Sequence, residues 1–264
     1  MTIIQAIILS IVEGLTEFLP ISSTAHMKFT NPIIGVSSTP FSDMFEIVIQ
    51  LFAILAVVVV YYKKFFDFSR ISFYVKLIIA VIPAVVFGFL LKKRIDNALQ
   101  DLHFIAWVMI GGGIIFLFVD RFFKHPRIES ERNVSNAAAF KIGCFQVLSI
   151  LLPGFSRSGA TIIGGLSQGL TRKAAAEFSF FLAVPTMLAA SVKSLWDVHK
   201  DHPDVLTKDN AVLLLLSGIV TFLVAIIVIR FFIGFLQKHG FKVWGYYRIV
   251  VGVAMLILLW RGVL

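Results

Sequence analysis

Two short runs of this sequence carry side chains able to handle phosphate inside a strongly apolar chain. The first is Glu13-Gly14-Leu15-Thr16-Glu17, followed after Pro20 by Ser22-Ser23-Thr24-Ala25-His26. Glutamates four residues apart lie on one helix face, a turn from each other. Buried together they repel, and a cation placed between them relieves that cost. Bridging a carboxylate pair to phosphate is a common use of a divalent ion, so Glu13 and Glu17 are candidate metal ligands as well as catalytic groups. The alternative is a structural pair that shares a proton or meets Arg157. The hydroxyls of Ser22, Ser23 and Thr24 beside the imidazole of His26 pair a candidate nucleophile with a group suited to moving protons near neutral pH. Capping of a new helix after Pro20 is the structural alternative. It is compatible with chemistry, because a helix N-terminus also offers free N–H groups to an anion.

The second run is Pro153-Gly154-Phe155-Ser156-Arg157-Ser158-Gly159-Ala160-Thr161. Its glycines leave main-chain N–H groups open to an anion. Arg157 forks onto phosphate oxygens, and Ser156, Ser158 and Thr161 add hydroxyl donors. No acidic residue lies close to Arg157 in sequence, so its partner must come from elsewhere, and the first run and a phosphate both qualify.

The elements that position these runs must be membrane helices. The chain has 264 residues, 58% hydrophobic and 15% charged, with a mean hydropathy of +0.92. A soluble domain carries about 25% charged residues, so the bilayer must act as solvent for much of this surface. The net charge of +9 sits in short loops between apolar spans. That distribution fits lipid head groups and membrane topology, and argues against nucleic acid. A single cysteine, Cys144, excludes an internal disulfide framework and a cysteine zinc site, and reads as a small packing residue. Met1–Leu19 lacks a basic start and contains Glu13 and Glu17, so it reads as part of the mature protein.

The expected fold is an all-α integral membrane protein forming one membrane domain over 1–264. Six full transmembrane helices are expected at about 45–62, 74–91, 104–120, 175–195, 211–231 and 245–262, each near the ~20 residues that cross ~30 Å of hydrocarbon. Two further segments, Ile3–Met27 and Ala138–Gly169, are apolar but broken by Pro and Gly where their polar residues cluster. Broken backbone at that depth must be covered by protein or line a cavity, so both read as re-entrant or discontinuous helices. A shift of 133 residues sets Pro20 on Pro153, Glu13 on Gln146, Ser23 on Ser156 and Phe45 on Phe178. The halves, about 1–133 and 134–264, follow the same order of apolar blocks. Three spans separate the broken segments, so they enter from opposite faces, as an inverted-topology repeat with a polar site near the midplane. Fifteen Lys and Arg, among them Lys63, Arg70, Arg121, Lys124, Arg172, Lys238 and Arg248, fall on one side. Eight, among them Lys92, Lys93, Lys193, Lys200 and Lys208, fall on the other. The richer side is expected to be cytoplasmic, with the first run opening outward.

The runs Glu13-Gly14-Leu15-Thr16-Glu17-Phe18-Leu19-Pro20-Ile21-Ser22-Ser23-Thr24-Ala25-His26 and Pro153–Gly159 closely resemble the two signature motifs of the bacterial undecaprenyl-diphosphate phosphatases of the bacitracin-resistance type. The resemblance extends over the whole chain in length and hydropathy order; Ala25 stands where glycine is common. It implies hydrolysis of undecaprenyl diphosphate to undecaprenyl phosphate and inorganic phosphate, recycling the lipid carrier for cell-wall synthesis and conferring bacitracin resistance. It also implies a multi-pass protein of the plasma membrane, an active site open to the outer face, and a divalent cation, Mg2+ or Ca2+. Carried over by motif, the catalytic set is Glu13, Glu17, Ser23, His26 and Arg157. Ser22, Thr24, Ser156, Ser158 and Thr161 join Arg157 around the phosphates, and Glu13 and Glu17 hold the metal. The nucleophile is left open between Ser23, helped by His26, and a water that His26 activates. The expected partners are the polyprenyl diphosphate and membrane lipids, with a homodimer left open.

The rival class is a lipid-phosphate flippase or ion-coupled transporter using the same midplane residues, since inverted repeats with broken helices are also a transporter design. Other features read as structural. Asp197, His199, Asp201, His202 and Asp204 form an acidic-histidine stretch that reads as a solvated loop, with metal binding the alternative, and Gly111-Gly112-Gly113 suggests a close helix crossing. Glu46, Gln50 and Glu177 are weaker candidates for lining the cavity.

Overall fold

The computed structural model describes residues 1–264 except Phe68, Arg70, Lys124 and Leu264; of the basic residues assigned to the cytoplasmic side, Arg70 and Lys124 therefore lie outside the described residues. The described chain is α-helical with no strand. In chain order the helices are α1 (Ile3–Thr16), α2 (Ser23–Ile33), α3 (Pro40–Val60), α4 (Tyr62–Phe65), α5 (Ile71–Leu90), α6 (Lys92–Gln100) and α7 (Leu102–Phe122). They continue as α8 (Asn136–Leu151), α9 (Arg157–Ser167), α10 (Arg172–Asp201), α11 (Lys208–His239) and α12 (Lys242–Trp260).

Six of these, α3, α5, α7, α10, α11 and α12, are long and apolar enough to cross a membrane, and they coincide with the six expected spans. The protein is a multi-pass membrane protein. Helices α10 and α11, at 30 and 32 residues, overrun the expected spans. Their added turns are the polar ends that hydropathy cannot register, and Asp197 to Asp201 thus belong to α10 rather than to a loop. Helix α6 was not anticipated. It is a short amphipathic helix with no buried residue, too polar to appear as an apolar block.

The two broken segments form as α1–α2 and α8–α9. These helices have 14, 11, 16 and 11 residues. At 1.5 Å per residue none reaches more than about 24 Å, short of a full crossing. Capping fixes their starts: the Thr2 hydroxyl and Gln5 form a reciprocal box at α1, and Ser135 caps α8. Each pair packs on itself, and α1 also lies against α11 while α8 lies against α5.

In lipid, apolar burial does not itself drive helices together, so close approach must come from small residues. Helices α7 and α12 cross where Gly113 and Gly245 face each other. A Cβ on either would stand 2.8 Å from the other's carbonyl oxygen. An aromatic cluster of Phe18, Phe116, Phe178, Phe180, Phe181, Phe232 and Phe241 fills the centre, with Phe18 edge-on to Phe180 at 5.1 Å. It packs behind both breaks, with Phe116 against Gly159 of α9 and Phe18 next to the end of α1.

Candidate active site

The two breaks end in the same local device. Ser22 and Ser156 cap α2 and α9 with left-handed backbone, φ 71° and 79°; they are the non-glycine residues with positive φ among those described. Each hydroxyl accepts from the N–H three residues on, Ala25 at 3.3 Å and Gly159 at 3.2 Å. Such backbone costs about 1–3 kcal/mol per residue and persists only where its surroundings over-determine it. The first helical residue after each cap is Ser23 in one half and Arg157 in the other. The uniform shift of 133 pairs Ser23 with Ser156, whereas the caps correspond as Ser22 and Ser156. The second break has one extra residue between its proline and its cap, and Gly154 at φ 99° provides the backbone for it.

Ser23 and Arg157 meet on Glu17. The Arg157 Nη2 donates to Glu17 Oε1 at 2.6 Å, and Ser23 Oγ donates to Glu17 Oε2 at 2.6 Å. Arg157 Nη1 also donates to the Ser179 carbonyl of α10 at 3.1 Å. Glu17 is 5% exposed, so this is a desolvated pair whose charge-assisted bonds are strong and directional. The sequence's acidic turn and its isolated guanidinium share one pocket.

That pocket opens into a cavity of about 1080 Å3 lined by Glu17, Ser22, Ser23, Thr24, Ser156 and Arg157 at its polar end. Its walls are apolar, with Ile47, Val81, Val85, Phe89, Ile150 and Met187 contributing, and Gln50 and Gln146 add polar points on the way out. The mouth is charged: Lys92 and Asp96 of α6 face Lys193, Asp197 and Asp201 of α10 and His202 beyond it. The acidic-histidine stretch read as a solvated loop is therefore partly the rim of this cavity.

The remaining candidates separate into three groups. Glu13 is completely buried a turn behind Glu17, the carboxyl it interacts with, and among the described residues neither of its oxygens has a hydrogen-bond partner of normal geometry. Ser158 and Thr161 point into the protein. Ser158 Oγ donates to the Leu19 carbonyl at 2.9 Å, tying one break to the other. Thr161 Oγ1 bonds the Arg157 carbonyl at 2.9 Å and Ser179 Oγ at 2.6 Å. His26 turns away from Ser23. Its Nδ1 lies 2.7 Å from the Ser22 carbonyl, so that nitrogen carries the proton, and Nε2 lies 2.9 Å from the Tyr247 hydroxyl. Its ring stacks on Tyr247 with centroids 5.7 Å apart, and it is not among the residues lining the cavity. Of the weaker candidates, Gln50 alone lines the cavity. Glu46 pairs with Lys28 at 3.2 Å, and Glu177 with Lys64 at 2.7 Å.

Arg248, which loop charge alone groups with the cytoplasmic cations, is a structural residue of the site. It is fully buried in α12 and bonds to main-chain carbonyls of both breaks. An arginine six residues inside an apolar span, opposite a run of glycines in α7, was the available signal.

A divalent ion can be tested against this donor set. Glu13 offers two buried oxygens that lack a hydrogen-bond donor among the described residues, and carboxylate oxygens suit a hard cation. Among the described residues no group of three His, Cys, Asp or Glu is poised around one point, so substrate oxygens would have to complete the shell. On those terms the residues fit, with Glu17, the one of the pair that lines the cavity, sharing its oxygens with Ser23 and Arg157 and Glu13 behind it.

A helical membrane protein with two broken helical hairpins, a buried Ser–Glu–Arg cluster and an apolar cavity opening from it is fitted to the class of proteins that handle lipid-linked anions. The family model described as "Bacitracin resistance protein BacA" matches residues 6–254, and the chain belongs to that family. An undecaprenyl-diphosphatase of Flavobacterium psychrophilum is 52% identical over 258 residues, 98% of this chain and 96% of that one. One from Porphyromonas gingivalis is 48% identical over 280 residues, covering 100% and 99%. Another, from Bdellovibrio bacteriovorus, is 43% identical over 264 residues, covering 99% and 98%. The resemblance carried by the two motifs thus extends along the chain.

Proposed function

We propose that this chain hydrolyses undecaprenyl diphosphate to undecaprenyl phosphate and inorganic phosphate, the activity named for its relatives. The observation that carries the reading is Ser23 and Arg157 converging on the one carboxylate of Glu17 at the floor of an apolar cavity. Phosphoryl transfer asks a protein mainly for positioning and for charge aimed at the phosphoryl oxygens. Arg157 supplies the forked cation, and the capped starts of α2 and α9 supply main-chain N–H groups. The isoprenoid lies along the α5 wall, where Val85 and Phe89 line the cavity and are also exposed on the lipid side.

Ser23 Oγ attacks the terminal phosphorus in line. The Oγ–P bond forms, the P–O bond to the bridging oxygen breaks, and the lipid monophosphate leaves. Glu17 Oε2, already accepting the hydroxyl hydrogen, takes the proton. Water then cleaves the seryl phosphate and releases inorganic phosphate. This assignment gives the base role to Glu17 rather than to His26, whose contacts favour holding the Ser22 carbonyl. Glu13 and Glu17 would hold a divalent cation, Mg2+ or Ca2+, which supplies charge neutralisation at the phosphates when bound.

The cavity mouth lies among the less basic of the two sets of loops, at Lys92, Lys193 and His202, which supports a site open to the outer face of a bacterial plasma membrane. Carrier recycling and bacitracin resistance follow from that placement. The helix pairing supports the inverted repeat over about 1–133 and 134–264. Helix α1 packs on α11 and α8 on α5, which exchange under the repeat, while α3 meets α10 and α7 meets α12, which are each other's counterparts.

The test is phosphate release from purified protein in detergent given a polyprenyl diphosphate, with and without chelator. Stoichiometric monophosphate and phosphate are expected, lost with chelator and restored by Mg2+ or Ca2+. A protein that binds the lipid but releases no phosphate would instead fit a flippase or transporter using this site.

A further inference from the structure

Among the described residues Arg248 is the one arginine held at 0% exposure, and its hydrogen-bond partners are main-chain carbonyls. Its Nη1 donates to the carbonyls of Pro20 at 3.2 Å and Phe155 at 2.9 Å. Its Nη2 donates to Gly154 at 2.8 Å and Val108 at 3.5 Å. Among the described residues it has no carboxylate partner; the rings of Phe116 and Phe155 face the guanidinium at 5.0 and 5.9 Å. Burying a cation without a counter-ion is costly, and a leucine would pack the α7–α12 crossing more cheaply. The carbonyls it reaches explain its presence. Breaking a helix frees carbonyls to which no ladder N–H donates, and in a membrane these must be met by protein. One guanidinium meets carbonyls from both breaks at once, using a fork of donors that no other side chain has.

The fold reserves space for it. A Cβ on Gly112 would overlap Arg248 Nη2, whereas one on neighbouring Gly111 would meet nothing. Pro20 precedes the Ser22 cap by two residues, and Gly154 and Phe155 lead directly into the Ser156 cap. The residue after each cap is Ser23 or Arg157. A link joining these carbonyls therefore sets the distance between the two helix starts that face the phosphate.

We infer that Arg248 is a positioning residue for phosphoryl transfer: it clamps the two strained breaks together and so registers Ser23 against Arg157. This rests on the phosphatase reading and adds to it a residue that touches no substrate. A misplacement of about 1 Å in a reacting pair can cost about 10²-fold in rate. Arg248→Lys keeps a buried cation but loses the fork, and Gly112→Ala pushes on the guanidinium without removing it.

The experiment uses the full-length protein in detergent. It measures kcat and KM for phosphate release, and the stoichiometry and Kd of a non-hydrolysable polyprenyl methylenediphosphonate. Both variants should lose about 10²-fold in kcat while KM, Kd and binding stoichiometry stay near wild type. The double variant should fall no further than the worse single one, and Gly111→Ala should match wild type. Wild-type kcat in either Arg248→Lys or Gly112→Ala would overturn the inference. So would a loss of kcat that only tracks a loss of binding sites, since that would make Arg248 a folding strut. Absence of phosphate release from wild-type protein is a different result, and would instead overturn the reading of the reaction.

Discussion

Arg157 Nη2 sits 2.6 Å from Glu17 Oε1 although 140 positions separate them in the chain. The same carboxylate holds Ser23 Oγ at 2.6 Å through its other oxygen. One buried anion thus orients a cation from the second half and a hydroxyl from the first. A phosphate entering from the cavity meets a nucleophile, its base and a forked donor already in register, which is how preorganised charge acts without reorganising during the reaction.

Replacing Arg157 by lysine should separate charge from geometry. Lysine retains the positive charge but cannot hold Glu17 and a phosphate with parallel donors. We expect kcat/KM to fall by about 10²–10³-fold, the scale of losing an oriented transition-state donor. The Arg157→Lys, Glu17→Gln double variant should fall by much less than the product of the singles, because both act on one interaction. Steady-state phosphate release measures each corner of the cycle, and near-normal turnover in Arg157→Lys would remove Arg157 from the phosphate site.

Ser23 and His26 make opposite predictions because their contacts diverge. Ser23→Ala should lose at least about 10²-fold in kcat, as nucleophile removals do. Acid quenching wild-type protein with substrate labelled in its terminal phosphate should leave label on Ser23. Tyr247→Phe, which removes the hydroxyl at His26 Nε2, should leave kcat close to wild type, since Nδ1 still holds the Ser22 carbonyl. Absence of the covalent label, together with loss of turnover in Tyr247→Phe, would return the base role to His26 and an activated water.

The spans were legible because apolar runs near 20 residues have few other uses, and the breaks were legible because Pro and Gly fell among Ser, Arg and Glu. What could not be read was direction. His26 lies in the motif, yet its side chain is turned toward Tyr247 by a residue 221 positions away. Ser158 and Thr161 looked like phosphate donors by composition and instead satisfy main chain and Ser179. Arg248 escaped because a cation a turn or two inside a helix end resembles a loop anchor; only the fold shows that both breaks converge on it. Hydropathy also gives no hint of α6, a short polar helix whose Ile95 and Leu99 line the cavity.

Glu13 is expected to be retained at the expense of stability. Both its oxygens are buried beside the Glu17 carboxylate and lack a hydrogen-bond donor among the described residues, and such a group costs more than a neutral amide of the same shape. Glu13→Gln should raise the detergent Tm, on the scale of the ~0.5–2 kcal/mol that single stabilising substitutions commonly yield. It should also lower kcat and shift the Mg2+ or Ca2+ concentration for half-maximal activity upward. Differential scanning fluorimetry and a cation titration of phosphate release read the two effects independently. An unchanged cation requirement would remove Glu13 from the metal site.

Orientation can be tested from the two ends of α10. At 30 residues it is about 45 Å long at 1.5 Å per residue, so its ends must lie on opposite faces of the bilayer. Its N-terminal Arg172 donates to the Gln237 carbonyl at 3.2 Å, which places Lys238 on that face. Lys200, exposed near the other end, shares the face of the cavity mouth formed by Lys193, Asp197 and His202. In a Cys144→Ser background, Lys200→Cys should react with a membrane-impermeant maleimide in intact spheroplasts, and Lys238→Cys only after the membrane is opened. Loop charge favours this orientation, and it gives an externally supplied lipid diphosphate direct access to Arg157. The reverse labelling pattern would place the cavity on the cytoplasmic side, and substrate would then have to reach Ser23 from the inner leaflet.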